Sequence, residues 1–122
     1  MILFGSDLSP TVHARVYTGR PLEAAEIFIE KTGKFMADMA REMQNRGCSL
    51  IGHIKCLVAS EEQTWGYLSL TDFKDTPVYT GELPTPAGSI TLTLNIIVYG
   101  VTAEEIEAGL SHLSPPLQDL IP

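Results

Sequence analysis

The most regular stretch of the chain is Ile90 to Tyr99, where Ile90, Leu92, Leu94, Ile96 and Val98 alternate with Thr91, Thr93, Asn95, Ile97 and Tyr99. A period of two puts one set on each face of a β-strand, with the aliphatic set against a core. Thr11 to Tyr17 repeats the period, which assigns Val12, Ala14 and Val16 to the core face and His13, Arg15 and Tyr17 to the outer face. Cys48 to Ala59 predicts a further strand, with both cysteines on the parity of Leu50, Ile54 and Val58. The polar turn Ser60-Glu61-Glu62-Gln63 joins it to a strand from Thr64 to Thr71, making a hairpin.

Between the first two strands the period changes to that of a helix. From Pro21 to Arg46 the residues Leu22, Ala25, Ile29, Met36, Met39, Ala40 and Met43 recur at helical spacing, with Pro21 suited to the first helical position and Gly47 to a left-handed stop. Such a helix would run about 39 Å against about 30 Å for a nine-residue strand, so one end is expected to overhang the sheet or meet a partner. Gly33 in its middle costs roughly 1 kcal/mol against alanine, which predicts a close backbone approach or a local bend. Thr102-Ala103-Glu104-Glu105 has the pattern of a capping box and opens a second helix to about Leu113, ended by Ser114-Pro115-Pro116. Asp72 to Gly88 carries Pro77, Pro84, Pro86, Gly81 and Gly88 and is too broken for a helix or a central strand, although Val78-Tyr79-Thr80 suits a short edge strand.

The order β-α-β-β-β-α predicts an α+β two-layer sandwich, a mixed four-stranded sheet with two helices on one face, as a single domain across residues 1–122. Its inner face would hold Val12, Val16, Leu50, Ile54, Leu68, Leu70, Leu92, Leu94 and Ile96. If the first two strands pair directly, the helical crossover makes them parallel.

At 122 residues the chain can bury one core and not two. Its 15 acidic and 8 basic side chains leave a formal charge of -7, whose field repels polyanions and argues against double-stranded nucleic acid and anionic membrane. No stretch approaches the roughly 18 apolar residues of a membrane span, and the first apolar run, Ile2-Leu3-Phe4, lacks a basic flank, so a cytoplasmic location is expected. In one strand Cys48 and Cys56 would lie about 26 Å apart, far beyond the roughly 4.4–6.8 Å of a disulfide, and they read as small buried hydrophobes.

Several chemistries find no support. The cysteines lack the close pairing of zinc ligands, and His53 has the opposite strand parity, so neither metal nor cofactor is expected. Lys31-Thr32-Gly33-Lys34 is only superficially similar to a phosphate loop, since Phe28 and Phe35 occupy positions that need glycine and a hydroxyl. The acids of both helical segments fit solvated faces, and Met36, Met39 and Met43 fit a core stripe.

The outer sheet face is less ordinary. His53 and Lys55 point the same way, two residues apart, and the outward set also contains His13, Arg15, Trp65, Tyr67, Asn95, Ile97 and Tyr99 with no acid. Aromatics with arginine and without carboxylates have the composition of a contact surface. Arg15, His53, Lys55, Tyr67 and Asn95 are therefore the candidate ligand-binding residues. Two readings stay open: a non-catalytic homo-oligomeric binding or assembly module that uses this face for a subunit or a small anionic ligand, or a small enzyme whose pocket between protomers sets His53, Lys55 and Arg15 around a carbonyl or anionic substrate, with Asp72 to Gly88 as a lid. Single-stranded nucleic acid stacked on Trp65, Tyr67 and Tyr99 is disfavoured by the net charge.

Overall fold

The computed structural model describes residues 9–61, 63–82, 88–113 and 117–121. In chain order it has strand β1 (Thr11–Gly19), helix α1 (Ala25–Asn45), strands β2 (Leu50–Ser60), β3 (Trp65–Leu70), β4 (Val78–Gly81) and β5 (Ile90–Tyr99), helix α2 (Ala103–His112) and a 3-10 turn, Leu117–Leu120. The α+β class is as expected, with two helices against one sheet. The sheet itself differs: it has five strands in the order β1-β5-β2-β3-β4, and every neighbouring pair is antiparallel. β5 lies between β1 and β2, so the crossover strands run the same way without pairing. The segment Val78–Gly81 does pair, as an edge strand on β3. The Ser114-Pro115-Pro116 stop, Pro84 and Pro86 lie outside the described residues.

Both helices cover the same sheet face. Phe28, Met36, Met39 and Met43 of α1 and Ile106 of α2 share one core with Ile54, Cys56, Val58, Leu68, Leu70, Leu92, Leu94 and Ile96. The methionine stripe is thus core, as its spacing predicts. α2 is opened by the capping box: the Thr102 hydroxyl accepts from the Glu105 amide at 3.1 Å while the Glu105 carboxylate accepts from the Thr102 amide at 2.9 Å. Gly47, with φ +105, reverses the chain after α1, and the Cys48 amide closes the end by donating to Met43 O at 2.9 Å.

α1 is shorter than its periodicity suggests. The Leu22 amide donates to Leu120 O at 3.2 Å, tying the segment before the helix to the 3-10 turn instead of leaving it free to wind. The 21 residues of α1 extend about 31 Å, within the length of β2, and the expected overhang disappears. Gly33 is not tightly hemmed: a Cβ there would meet Pro77 O at 3.8 Å and Leu68 Cδ2 at 3.9 Å, ordinary contacts beside an open groove.

Four residues assigned to the core face are exposed instead: Ala14, and among the larger ones Val12 at 66%, Val16 at 64% and Leu50 at 57%. For Leu50 the cause is a bulge. The β2–β5 register shifts between Ile51 and His53, so Gly52 is an extra residue and the parity of β2 inverts there. Ile51 is buried before the bulge and Ile54 after it, whereas Leu50 and Lys55 both face away from the helices. Cys48 precedes the strand rather than belonging to it. Both cysteines are free and buried, and burial pushes the Cys56 thiol up to about 12, which leaves it an unreactive core group.

Candidate functional site

The helices leave the second sheet face bare, and strand register places its residues in rows. The middle row reads Ala14, Asn95, Lys55, Ser69, Val78 across β1, β5, β2, β3 and β4. On one side of it lie Val12, Ile97 and His53, and on the other Val16, Thr93, Leu57, Tyr67 and Thr80. Beyond these come Thr18, Thr91, Ala59 and Trp65 at one end, with Leu50 and Tyr99 at the other. Lys55 occupies the middle of the central strand, and its ammonium stands 4.7 Å from the centroid of the Tyr67 ring, a cation–π contact.

This face mixes polar side chains with large apolar ones. Val12, Val16, Leu50, Leu57, Trp65 and Val78 all count among the exposed large hydrophobic side chains. The charged or titratable side chains among its described strand residues are His53, Lys55 and the phenols of Tyr67 and Tyr99; none of the five strands contains an aspartate or glutamate. The described acids sit instead on the helices and loops.

Of the five candidate residues, the fold brings together Lys55, Tyr67, Asn95 and His53 and separates Arg15. In the β1–β5 register His13 pairs with Ile96, Arg15 with Leu94 and Tyr17 with Leu92, which turns all three towards the helices. The expected inward set Val12, Ala14 and Val16 is the outward one. On that side α2 lays Glu107 over β1: Arg15 donates to both carboxylate oxygens at 2.7 and 2.9 Å and His13 contacts the same carboxylate. The Arg15 guanidinium also lies 5.8 Å from the Tyr17 ring centroid, and Tyr17 packs on the core margin. These long side chains roof the edge of the core with their stems while their heads reach the partner on α2.

Burial pushes the Glu107 carboxyl up, but the His13 hydrogen bond and the Arg15 charge outweigh it and hold the group below its ordinary 4.5. A depressed folded value means that the stabilisation is present above the ordinary carboxylate range and lost as pH falls through the folded value. Glu107→Gln is therefore expected to lower stability at neutral pH by less than about 1 kcal/mol, since the cluster is half-exposed. The gap from the parent protein should close well below pH 4. Thermal melts across that range check it; a gap that persists in strong acid contradicts the ion-pair account.

Two concavities lie elsewhere. One of about 340 Å³ runs between α1 and the β3–β4 edge, lined by residues that include Ile29, Lys34, Leu68, Pro77 and Tyr79. The other, about 200 Å³, sits between the start of α1 and the 3-10 turn, against Leu22, Phe28 and Leu120. The first also carries Glu30 and Thr76 on its wall, and the second Glu23, Lys31 and Asp119. Among the described residues no group of three His, Cys, Asp or Glu side chains could hold a metal ion, and no helix is long and apolar enough to cross a membrane.

The exposed valines of β1 escaped a reading of the sequence, since a strict alternation says which residues share a face but not which face is inside. Comparison with protein-family models, with curated proteins and with solved structures gives no match for the chain. The chemistry of the bare face is left as the guide to function.

Proposed function

We propose that the protein is a non-catalytic assembly module of the cytoplasm that forms a homodimer through its bare sheet face. The observation that carries this reading is the exposure of Val12, Val16, Leu50, Trp65 and Val78 around the margin of one sheet face. Large apolar patches on soluble domains mark contact sites, because leaving them in water forfeits the free energy of their burial. The five strands present a footprint of about 600 Å² before side-chain relief is counted, close to the roughly 800 Å² per partner of a specific interface. A face-to-face pair of copies keeps the acidic helices on opposite outer sides, with the two sheets between them, so the acids of the two protomers stay apart.

The enzyme alternative loses support from the position of Arg15. With that residue bound to Glu107 on the other side of the sheet, His53 and Lys55 stand without the third group that would hold a carbonyl or anionic substrate for reaction. A general acid–base site also needs a fixed partner for the imidazole.

Trp65 is the sole tryptophan of the chain, is 59% exposed and lies on the bare face, so it reports directly on what covers it. Acrylamide quenching of its fluorescence is expected to be weak at high micromolar protein and to strengthen on dilution as protomers part. Quenching that is strong and independent of concentration argues against the dimer.

A further inference from the structure

The bare face has an arrangement opposite to that of a usual protein contact, which is apolar at the centre and polar at the rim. In the middle row Asn95, Lys55 and Ser69 occupy the three inner strands, and the aliphatic Ala14 and Val78 occupy the two edges. His53 and the Tyr67 ring flank Lys55. The centre is thus rich in donors: an ammonium, an amide, a hydroxyl and an imidazole. It contains no carboxylate, and neither does any described strand.

A second copy seated on this face brings the same groups, because a two-fold interface is self-complementary. Two lysines and two histidines would then be withdrawn from water with no carboxylate from either sheet to face them. The contact with Tyr67 offsets part of that loss, but a desolvated ammonium remains unfavourable unless it is paired and hydrogen-bonded. On this ground, and resting on the dimer reading above, we infer that the centre of the interface is a shared site for a small oxyanion, a carboxylate or a phosphate, held by Lys55, Asn95, Ser69 and His53 of both protomers. The apolar margin, with Val12, Val16 and Val78 at the edges and Trp65 at one end, closes around it and excludes water, which strengthens the ionic contact. The anion is a structural ligand of the assembly and undergoes no reaction there.

The test is the dimer dissociation constant, measured by sedimentation at fixed ionic strength with chloride replaced in turn by inorganic phosphate and by acetate. An anion bound only by the dimer should tighten association about tenfold when present at ten times its own dissociation constant. Phosphate acting alone assigns the site to phosphate compounds, and acetate acting alone assigns it to carboxylates. Lys55→Gln is expected to remain dimeric and to lose the response, and Asn95→Ala, which removes one donor from the same row, is expected to weaken it. Phosphate also strengthens apolar contacts in general by exclusion from protein surface, an effect the lysine variant would share equally. A parent dimer indifferent to both anions, or a Lys55→Gln dimer that responds as the parent does, overturns the anion site while leaving the dimer in place. A parent protein that is monomeric with and without either anion removes both.

Discussion

Leu94→Ala is expected to destabilise the protein by about 2–5 kcal/mol, the range for deleting a fully buried leucine side chain and leaving a cavity behind. Leu94 is 0% exposed, in the middle of β5 and opposite Cys56 on β2, so its methyls have core atoms on every side. The adjacent Thr93 points to the bare face, between Val16 and Leu57. In the dilute, dissociated protein Thr93→Ala should cost less than about 1 kcal/mol, as for a substitution outside the protomer's own core. Denaturant unfolding of the two variants at a protein concentration low enough to keep the protomers apart makes the comparison, because association adds to apparent stability. Equal losses would mean that both sheet faces are packed as cores, which the two-layer arrangement forbids.

The second large effect is expected at Gly66. This residue is buried on β3 beneath the ring of Tyr79, whose hydroxyl donates to Glu82 O. A Cβ at Gly66 would fall 2.2 Å from the Tyr79 hydroxyl oxygen and 2.7 Å from the carbonyl oxygen of Thr80. The tyrosine can swing aside, but the carbonyl belongs to the β4 backbone and must move with its strand. Gly66→Ala is thus expected to cost roughly 1–3 kcal/mol as an overpacked site. The damage should be local, with faster amide hydrogen exchange in Val78–Gly81 and unchanged protection in β5. A variant as stable as the parent would show that Tyr79 does not lie over the glycine.

Much of this architecture is legible in the chain. β5 shows itself by an unbroken alternation, α2 by Thr102 and Glu105, and the core stripe of α1 by Met36, Met39 and Met43, because each depends on local spacing. Two features could not be read that way. The side of the sheet that β1 turns inward is a long-range matter: α2, more than ninety residues away, lies over it and Glu107 meets His13 and Arg15 there. The face of Leu50 depends on the bulge at Gly52, where one additional residue inverts the parity of all that precedes it. The candidate site divides on the same lines: Lys55, His53, Tyr67 and Asn95 lie beyond the bulge and share the bare face, while Arg15 follows β1 to the other side.

The pairing of two bare faces is tested most directly by the mass of the protein in solution. Sedimentation equilibrium at high micromolar concentration is expected to give twice the chain mass of 13.3 kDa. Val16→Asp, which sets a carboxylate among the exposed valines of β1 without touching the core, is expected to sediment at the single-chain mass while keeping the parent's circular dichroism. A parent protein that sediments at 13.3 kDa over the whole concentration range would contradict the account.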